Sequence, residues 1–189
     1  MLTAFTFSWD VPVAKDWELT TEGGSEVLRM LVARPAYNPR RPTQFAVAST
    51  PPFDKVTVEA DVKPLTNSII IVYCYNDRAH FNYAHLSMDT GTKQPVHNGI
   101  FHVFGGERVR ISQLEGPASF AAIGRWYRVR LVHDGSAGSV DVSVDGKPLP
   151  SLHAVDLSIR SGGIGLGSFF ETAEFRNVTI SGTKLRSTP

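Results

Sequence analysis

The sequence predicts an all-β fold, a two-sheet antiparallel jelly-roll sandwich. Three observations carry this. Apolar residues alternate with polar ones along most of the chain, the period of a half-buried strand. Turn-forming residues punctuate those stretches every ~8–12 residues. Only one segment, Ser25 to Arg34, also admits helical spacing.

Taken in order, Phe5, Phe7 and Trp9 alternate with Thr6 and Ser8 and read as a strand. Ser25 to Arg34 is ambiguous, because Val27, Met30 and Leu31 also fall at helical spacing. Its surroundings assign it to a strand. Val56, Val58, Ala60 and Val62 alternate with Thr57, Glu59, Asp61 and Lys63, so that strand has one face buried and one wet. Ile69 to Tyr75 is a β-branched and aromatic run bounded by Asn67-Ser68 and Asn76-Asp77, the pattern of a fully buried strand. Further strands are expected at Ala79 to Ser87, Gly99 to Phe104 and Arg108 to Ser112. Trp126 to His133 and Ser139 to Val144 alternate around Asp134-Gly135 and Gly138. Asp145-Gly146 is a two-residue hairpin signal. Ala154 to Ile159, Gly165 to Phe169 and Glu174 to Ser181 complete the set. Residues 1–182 form a single sandwich domain and 183–189 a loose tail. Both terminal strands look half-buried and are expected to pair in one sheet.

Composition narrows the function classes. The chain has 189 residues, of which 42% are hydrophobic and 20% charged, with a net charge of +1. A chain of this length buries roughly 70% of its unfolded surface without staples. The near-neutral balance gives no bulk electrostatic case for nucleic acid. The longest apolar run is far below the ~20 residues of a membrane helix, so membrane insertion is not expected. The single cysteine, Cys74, has no disulfide partner within the chain and reads as an inert core thiol. The N-terminus lacks a basic leader, which points to the cytoplasm unless a leader was removed.

Four strings resemble a known superfamily: Trp126-Tyr-Arg-Val-Arg-Leu-Val, Gly138-Ser-Val-Asp-Val-Ser-Val-Asp-Gly, Gly162-Gly-Ile-Gly-Leu-Gly-Ser and Ala173-Glu-Phe-Arg-Asn-Val-Thr-Ile. They resemble the concanavalin A-like lectin/glucanase superfamily, closest to laminin-G-like and bacterial glycosyl-hydrolase-associated sandwich domains. The match is good over the last third of the chain and loose over the middle third. The resemblance implies two stacked, curved sheets with a glycan-binding concave face. It implies Ca²⁺ in some members, for which Asp77 or Asp89 are the loop candidates, and catalysis in others. The E-x-D-x-x-E string of the laminarinase-type enzymes is absent, since Asp61 follows Glu59 but position 64 is Pro.

Four of the six histidines lie between residues 80 and 102, among Tyr73, Tyr75, Tyr83, Asn98, Arg108 and Arg110. Strand parity puts Ile69, Ile71, Tyr73 and Tyr75 on one face, Phe81, Tyr83 and His85 on another, and Asn98, Ile100 and His102 on a third. With aligned strands, Tyr83, His85, His102 and an arginine meet on one sheet face, with His97 and Asn98 at its rim. Tyrosine offers stacking area with a polar tip, and His, Asn and Arg offer fixed donors and acceptors for a sugar. Arginine also suits a uronate or sulfate. The expected ligand is therefore an oligo- or polysaccharide in a polar-aromatic groove. The competing readings are a polysaccharide-active enzyme, either a lyase using Arg108 or Arg110 with Tyr83 and His85 or His97, or a hydrolase, and a protein-interaction module. Apart from Ca²⁺ no cofactor is expected. Pairs such as His80 and His85, or His97 and His102, lack zinc spacing. Trp9 and Trp126 read as core anchors.

Overall fold

The computed structural model describes residues 1–185. Two hairpins open the chain: β1 (Leu2–Ala4) with β2 (Phe7–Asp10), then β3 (Trp17–Glu22) with β4 (Ser25–Met30). Next come β5 (Gln44–Ala48), β6 (Phe53–Pro64), β7 (Ser68–Asp77), β8 (His80–Ser87), β9 (Gly99–Phe104) and β10 (Arg108–Arg110). A single helical turn, α1 (Gln94–His97), precedes β9. The chain continues through β11 (Tyr127–Asp134), β12 (Ser139–Val144), β13 (Lys147–Val155), β14 (Gly163–Ser168) and β15 (Ala173–Lys184). An eight-stranded sheet runs β1-β2-β5-β14-β7-β8-β9-β10 and a seven-stranded sheet runs β13-β12-β11-β6-β15-β4-β3, with every pairing antiparallel.

Alternation decides what each strand buries. Val56, Val58, Ala60 and Val62 of β6 point inward, as do Tyr127, Val129 and Leu131 of β11, while Arg128 and Arg130 stay outside. The main core lies between the sheets and includes Trp9, Leu28, Ile69, Ile71, Leu86, Ile100, Leu166 and Phe175. Asp145 and Gly146 both adopt left-handed backbone (φ +48° and +77°), and they join β12 to β13 in the expected two-residue turn. The Ser25 segment is a strand through Met30.

Several expectations are corrected. The termini lie in different sheets: β1 and β2 extend the eight-stranded sheet through β5, whereas β15 sits between β6 and β4 in the other. Trp9 explains this, since the first hairpin buries its ring in the core and ties its Nε1 to Ala4 O at 3.0 Å. β3 and β5 are additional strands. β10 stops at Arg110, and the strand expected at Ala154–Ile159 instead covers Lys147–Val155. β15 continues through Lys184, paired with Phe53, where a loose tail was expected from residue 183. The last four residues of that tail lie outside the described residues.

Register breaks at Cys74, which has φ +52°, and the pairing with β8 shifts between Tyr73 and Asp77. This bulge flips the parity of the residues after it. Tyr73 points into the core with Ile69 and Ile71, but Tyr75 lands on the opposite face, against Phe45 and Phe81. Gly162 permits the bulge, because a Cβ there would sit 2.4 Å from the Cys74 carbonyl carbon.

Candidate functional site

The outer face of the eight-stranded sheet carries a second apolar cluster: Phe45, Ile70, Val72, Phe81, Tyr83, Phe101, Val103 and Phe169. This is why Ile69 to Tyr73 is buried without alternation; both faces of β7 are covered. β14 makes room by placing glycine on this side. A Cβ on Gly167 would lie 2.6 Å from Phe45 Cα and 2.4 Å from Gln44 O. The segment between β4 and β5 crosses to this face. There Arg40 O accepts the Arg108 N–H at 3.0 Å, Arg41 donates to Gly106 O at 3.3 Å, and Tyr37 stacks on Phe170 with centroids 5.1 Å apart.

Tyr83, His85, His97 and Arg108 do converge here. Arg108 lies over the rings of Phe101 and Phe169, at 4.3 and 4.7 Å. Its guanidinium donates to Tyr83 Oη and His85 Nδ1, each at 3.2 Å, and to Val96 O at 2.9 Å. A guanidinium has no acceptor, so His85 Nδ1 must accept and its proton sits on Nε2, 3.1 Å from Ser68 Oγ. That tautomer cannot take a proton from Ser68, so the pair is not a nucleophile and base. Burial, with the charge of Arg108 second, holds His85 well below the usual histidine range. Burial likewise pushes the Tyr83 hydroxyl up to about 12. Tyr83 is 0% and His85 1% exposed, so neither reaches a substrate.

His97 is the accessible imidazole of the group. Its Nδ1 lies 2.5 Å from Asp89 Oδ2 and its ring 5.3 Å from that of His85. The recess beside it, lined by Ser68, His85, His97, Phe169, Phe170 and Glu171, has a volume of about 20 Å³. That is room for one water, not a sugar ring. The expected groove is therefore filled, by the aromatic cluster and by side chains that approach from the loops.

The remaining candidates do other work. Tyr73 is a core residue, 5.2 Å from the buried His133 ring. His102 faces the opposite side from Tyr83, because Tyr83 pairs with Phe101 and His102 pairs with Asn82. Its Nδ1 meets Asn82 Oδ1 at 2.8 Å and Asp156 at 3.1 Å, across the seam between the sheets. Asn98 is fully buried and bolts loops together: its Oδ1 accepts from Ser87 N, Ser119 N and Ser119 Oγ, and its Nδ2 donates to Ser87 Oγ, Asp89 O and Gln94 O. Arg110 donates to the carbonyls of Ser112, Leu114 and Asn98.

Asp77 caps its own turn through Ala79 N and faces His80, and Asp89 also accepts from Asn67. No three His, Cys, Asp or Glu side chains among the described residues are grouped to hold a metal ion. Cys74 is buried beside His133, and burial pushes its thiol up. Trp126 is not a core anchor; it lies outside between Arg176 and Lys63, 4.1 and 4.5 Å from its ring. Sequence reading missed Tyr37, Arg40, Phe169 and Phe170. The available signal was the stretch Arg34-Pro-Ala-Tyr-Asn-Pro-Arg-Arg-Pro, rich in arginine and proline around one tyrosine.

No protein-family model matches the chain, and no curated protein matches its sequence. Solved structures do match. A carbohydrate-binding module of Bacillus subtilis, CBM66, is 15% identical with a TM-score of 0.64, over 92% of this chain and 95% of that one. A GH43 protein of Bacillus licheniformis is 14% identical with a TM-score of 0.59, over 92% of this chain and 36% of that one. A Bacillus subtilis protein of unknown function with a galectin-like fold is 15% identical with a TM-score of 0.56, covering 95% and 90%. At such identities the likeness is one of fold: this chain shares with these structures a sandwich of two stacked antiparallel sheets.

Proposed function

We propose that this domain binds carbohydrate without altering it chemically. The reading is carried by one surface feature. Tyr37 is 68% exposed and stacks on Phe170, while the Arg40 guanidinium lies 5.9 Å from the Phe170 ring. A flat aromatic face flanked by a fixed donor suits the C–H face and hydroxyls of a sugar ring. Two further points support it. The chain spans nearly the whole length of the carbohydrate-binding module that it resembles in fold. Of the acid and base side chains expected for a lyase, Tyr83 and His85 are buried, which disfavours catalysis there, and only His97 is accessible.

A glycan array followed by titration calorimetry tests the proposal, with wild type and Tyr37→Ala. The expected result is binding to at least one oligosaccharide class, weakened about tenfold or more by the loss of the ring. No glycan retained at millimolar concentration, or undiminished binding in Tyr37→Ala, overturns it. Release of unsaturated products from a uronic polymer would overturn the non-catalytic part and direct attention to His97 and Asp89.

A further inference from the structure

The two outer faces of the sandwich hold basic side chains in different electrical states. On the seven-stranded sheet each arginine, and Lys63 with them, has an acidic partner. Arg29 meets Glu174 at 2.5 Å and Glu18 at 2.9 Å. Lys63 meets Glu22 at 3.1 Å and also contacts Glu174. Arg128 reaches Asp61 at 3.2 Å, Arg176 reaches the same carboxylate at 3.4 Å, and Arg130 reaches Glu59 at 3.7 Å.

The eight-stranded sheet differs. Arg40, Arg41, Arg108 and Arg110 have no carboxylate within 4.0 Å among the described residues. Their hydrogen bonds go to neutral acceptors: carbonyls, the Tyr83 hydroxyl and the His85 ring. Arg40 Nε is buried and has no acceptor at all. Two of these guanidinium groups crowd one ring, since the Arg108 carbon is 4.7 Å and the Arg40 carbon 5.9 Å from the Phe169 centroid. Two like charges against a shared low-dielectric cluster repel, and their hydrogen bonds do not cancel that charge. Both are half-buried, so both keep an open side. Glu171, the acid that lines the recess beside Phe169 and Phe170, is engaged by Ser68 N at 2.6 Å and Thr66 Oγ1 at 3.2 Å.

We infer that the sugar recognised beside Tyr37 and Phe170 carries an oxyanion, a uronate carboxylate or a sulfate ester, received by Arg40 and Arg108. This rests on the carbohydrate reading and adds the ligand's charge to it. A planar guanidinium already held over aromatic rings loses little freedom on binding and presents a fork to a planar or tetrahedral oxyanion. Arg40 supplies its Nη donors, since its Nε is buried away from solvent. Arg108, bonded to three neighbours, supplies charge at a fixed place.

The test is calorimetry with an oligogalacturonate, a sulfated oligosaccharide and a neutral oligosaccharide, each against wild type, Arg40→Gln and Arg130→Gln, the last on the opposite face. Acidic ligands should bind at least about tenfold more tightly than the neutral one, weaken with added salt, and lose about tenfold in Arg40→Gln but not in Arg130→Gln. Which acidic ligand prevails distinguishes the carboxylate from the sulfate, and competition by sodium sulfate supports a bare oxyanion site. If Arg40→Gln does not fold, Arg40→Lys, which keeps the charge but loses the fork, should show the same loss. Neutral glycan binding as tightly as acidic, or Arg40→Gln and Arg40→Lys binding acidic glycan as wild type does, overturns the inference and leaves the carbohydrate reading standing. Failure of every glycan overturns both.

Discussion

Replacing Asn98 by Ala separates a ligand residue from a loop bolt. The side chain is 0% exposed and ties three segments: the end of β8 at Ser87, the turn before α1 at Asp89, and the Ser119 loop. Alanine removes all of these contacts at once. Ser119 N keeps a second acceptor, Ser87 O at 2.8 Å, and its hydroxyl can turn elsewhere. Ser87 N has no such reserve outside the strand ladder, because its acceptor is Asn98 Oδ1 at 3.0 Å. One orphaned buried N–H costs about 1–3 kcal/mol, and losing the Nδ2 bonds to Ser87 Oγ, Asp89 O and Gln94 O adds about 1 kcal/mol for each that water cannot replace. With two Nδ2 protons to satisfy, the sum is roughly 3–5 kcal/mol, or a fall in melting temperature of about 6–20 °C at ~2–4 °C per kcal/mol. Urea unfolding of wild type and variant, followed by tryptophan fluorescence, measures it. A change below about 1 kcal/mol would refute the bolt and make Asn98 a ligand candidate again.

Three further outcomes are expected. Gly167→Ala should destabilise by about 1–3 kcal/mol, since the new methyl meets the backbone of Gln44 and Phe45 rather than a yielding side chain; an unchanged urea midpoint would contradict this. His85 should remain neutral from pH 8 down to 5 in an NMR titration. Its folded pKa lies below the unfolded one, so stability is full above about pH 6.5 and declines as the unfolded state takes up protons below it. A protonation shift of its ring near pH 6.5 would show that the burial and Arg108 argument fails. Arg34 forks onto the buried Asp16, which also accepts from Gln44, and this holds the Asp16 carboxyl below the usual carboxylate range. That contribution is present above the unfolded carboxylate value near ~3.9 and lost as pH falls through the folded one, so Arg34→Met should flatten the acid limb of a melting-temperature profile. An unaltered profile would count against it.

Much of the fold was legible because local chemistry encodes it. Val56 to Val62 showed which side was wet, and Asp145-Gly146 specified its own turn. The site was legible only in part. Tyr83, His85 and Arg108 meet as parity and alignment required, and His97 stands at their rim. His102 and Tyr75 break the pattern. His102 lies one residue from Phe101, the true partner of Tyr83, and so faces the other way. Tyr75 comes after a bulge that nothing in the run Ile69 to Tyr75 announces.

Whether the face was open could not be read at all. Alternation reports that a side chain is covered or wet only when what covers it is also periodic. Here the cover comes from the aperiodic segment between β4 and β5 and from Phe169 and Phe170, brought in by contacts such as Arg40 with Arg108 and Tyr37 with Phe170. The sheet membership of the termini has the same origin, since strands far apart in sequence choose partners by where Trp9 and Phe175 bury. By itself the sequence determined strand, turn and layer, because those depend on nearest neighbours along the chain. Only the tertiary structure decided that the expected groove is a second core with a tyrosine and unpaired arginines on its roof, because burial and charge neutralisation depend on which distant residues arrive.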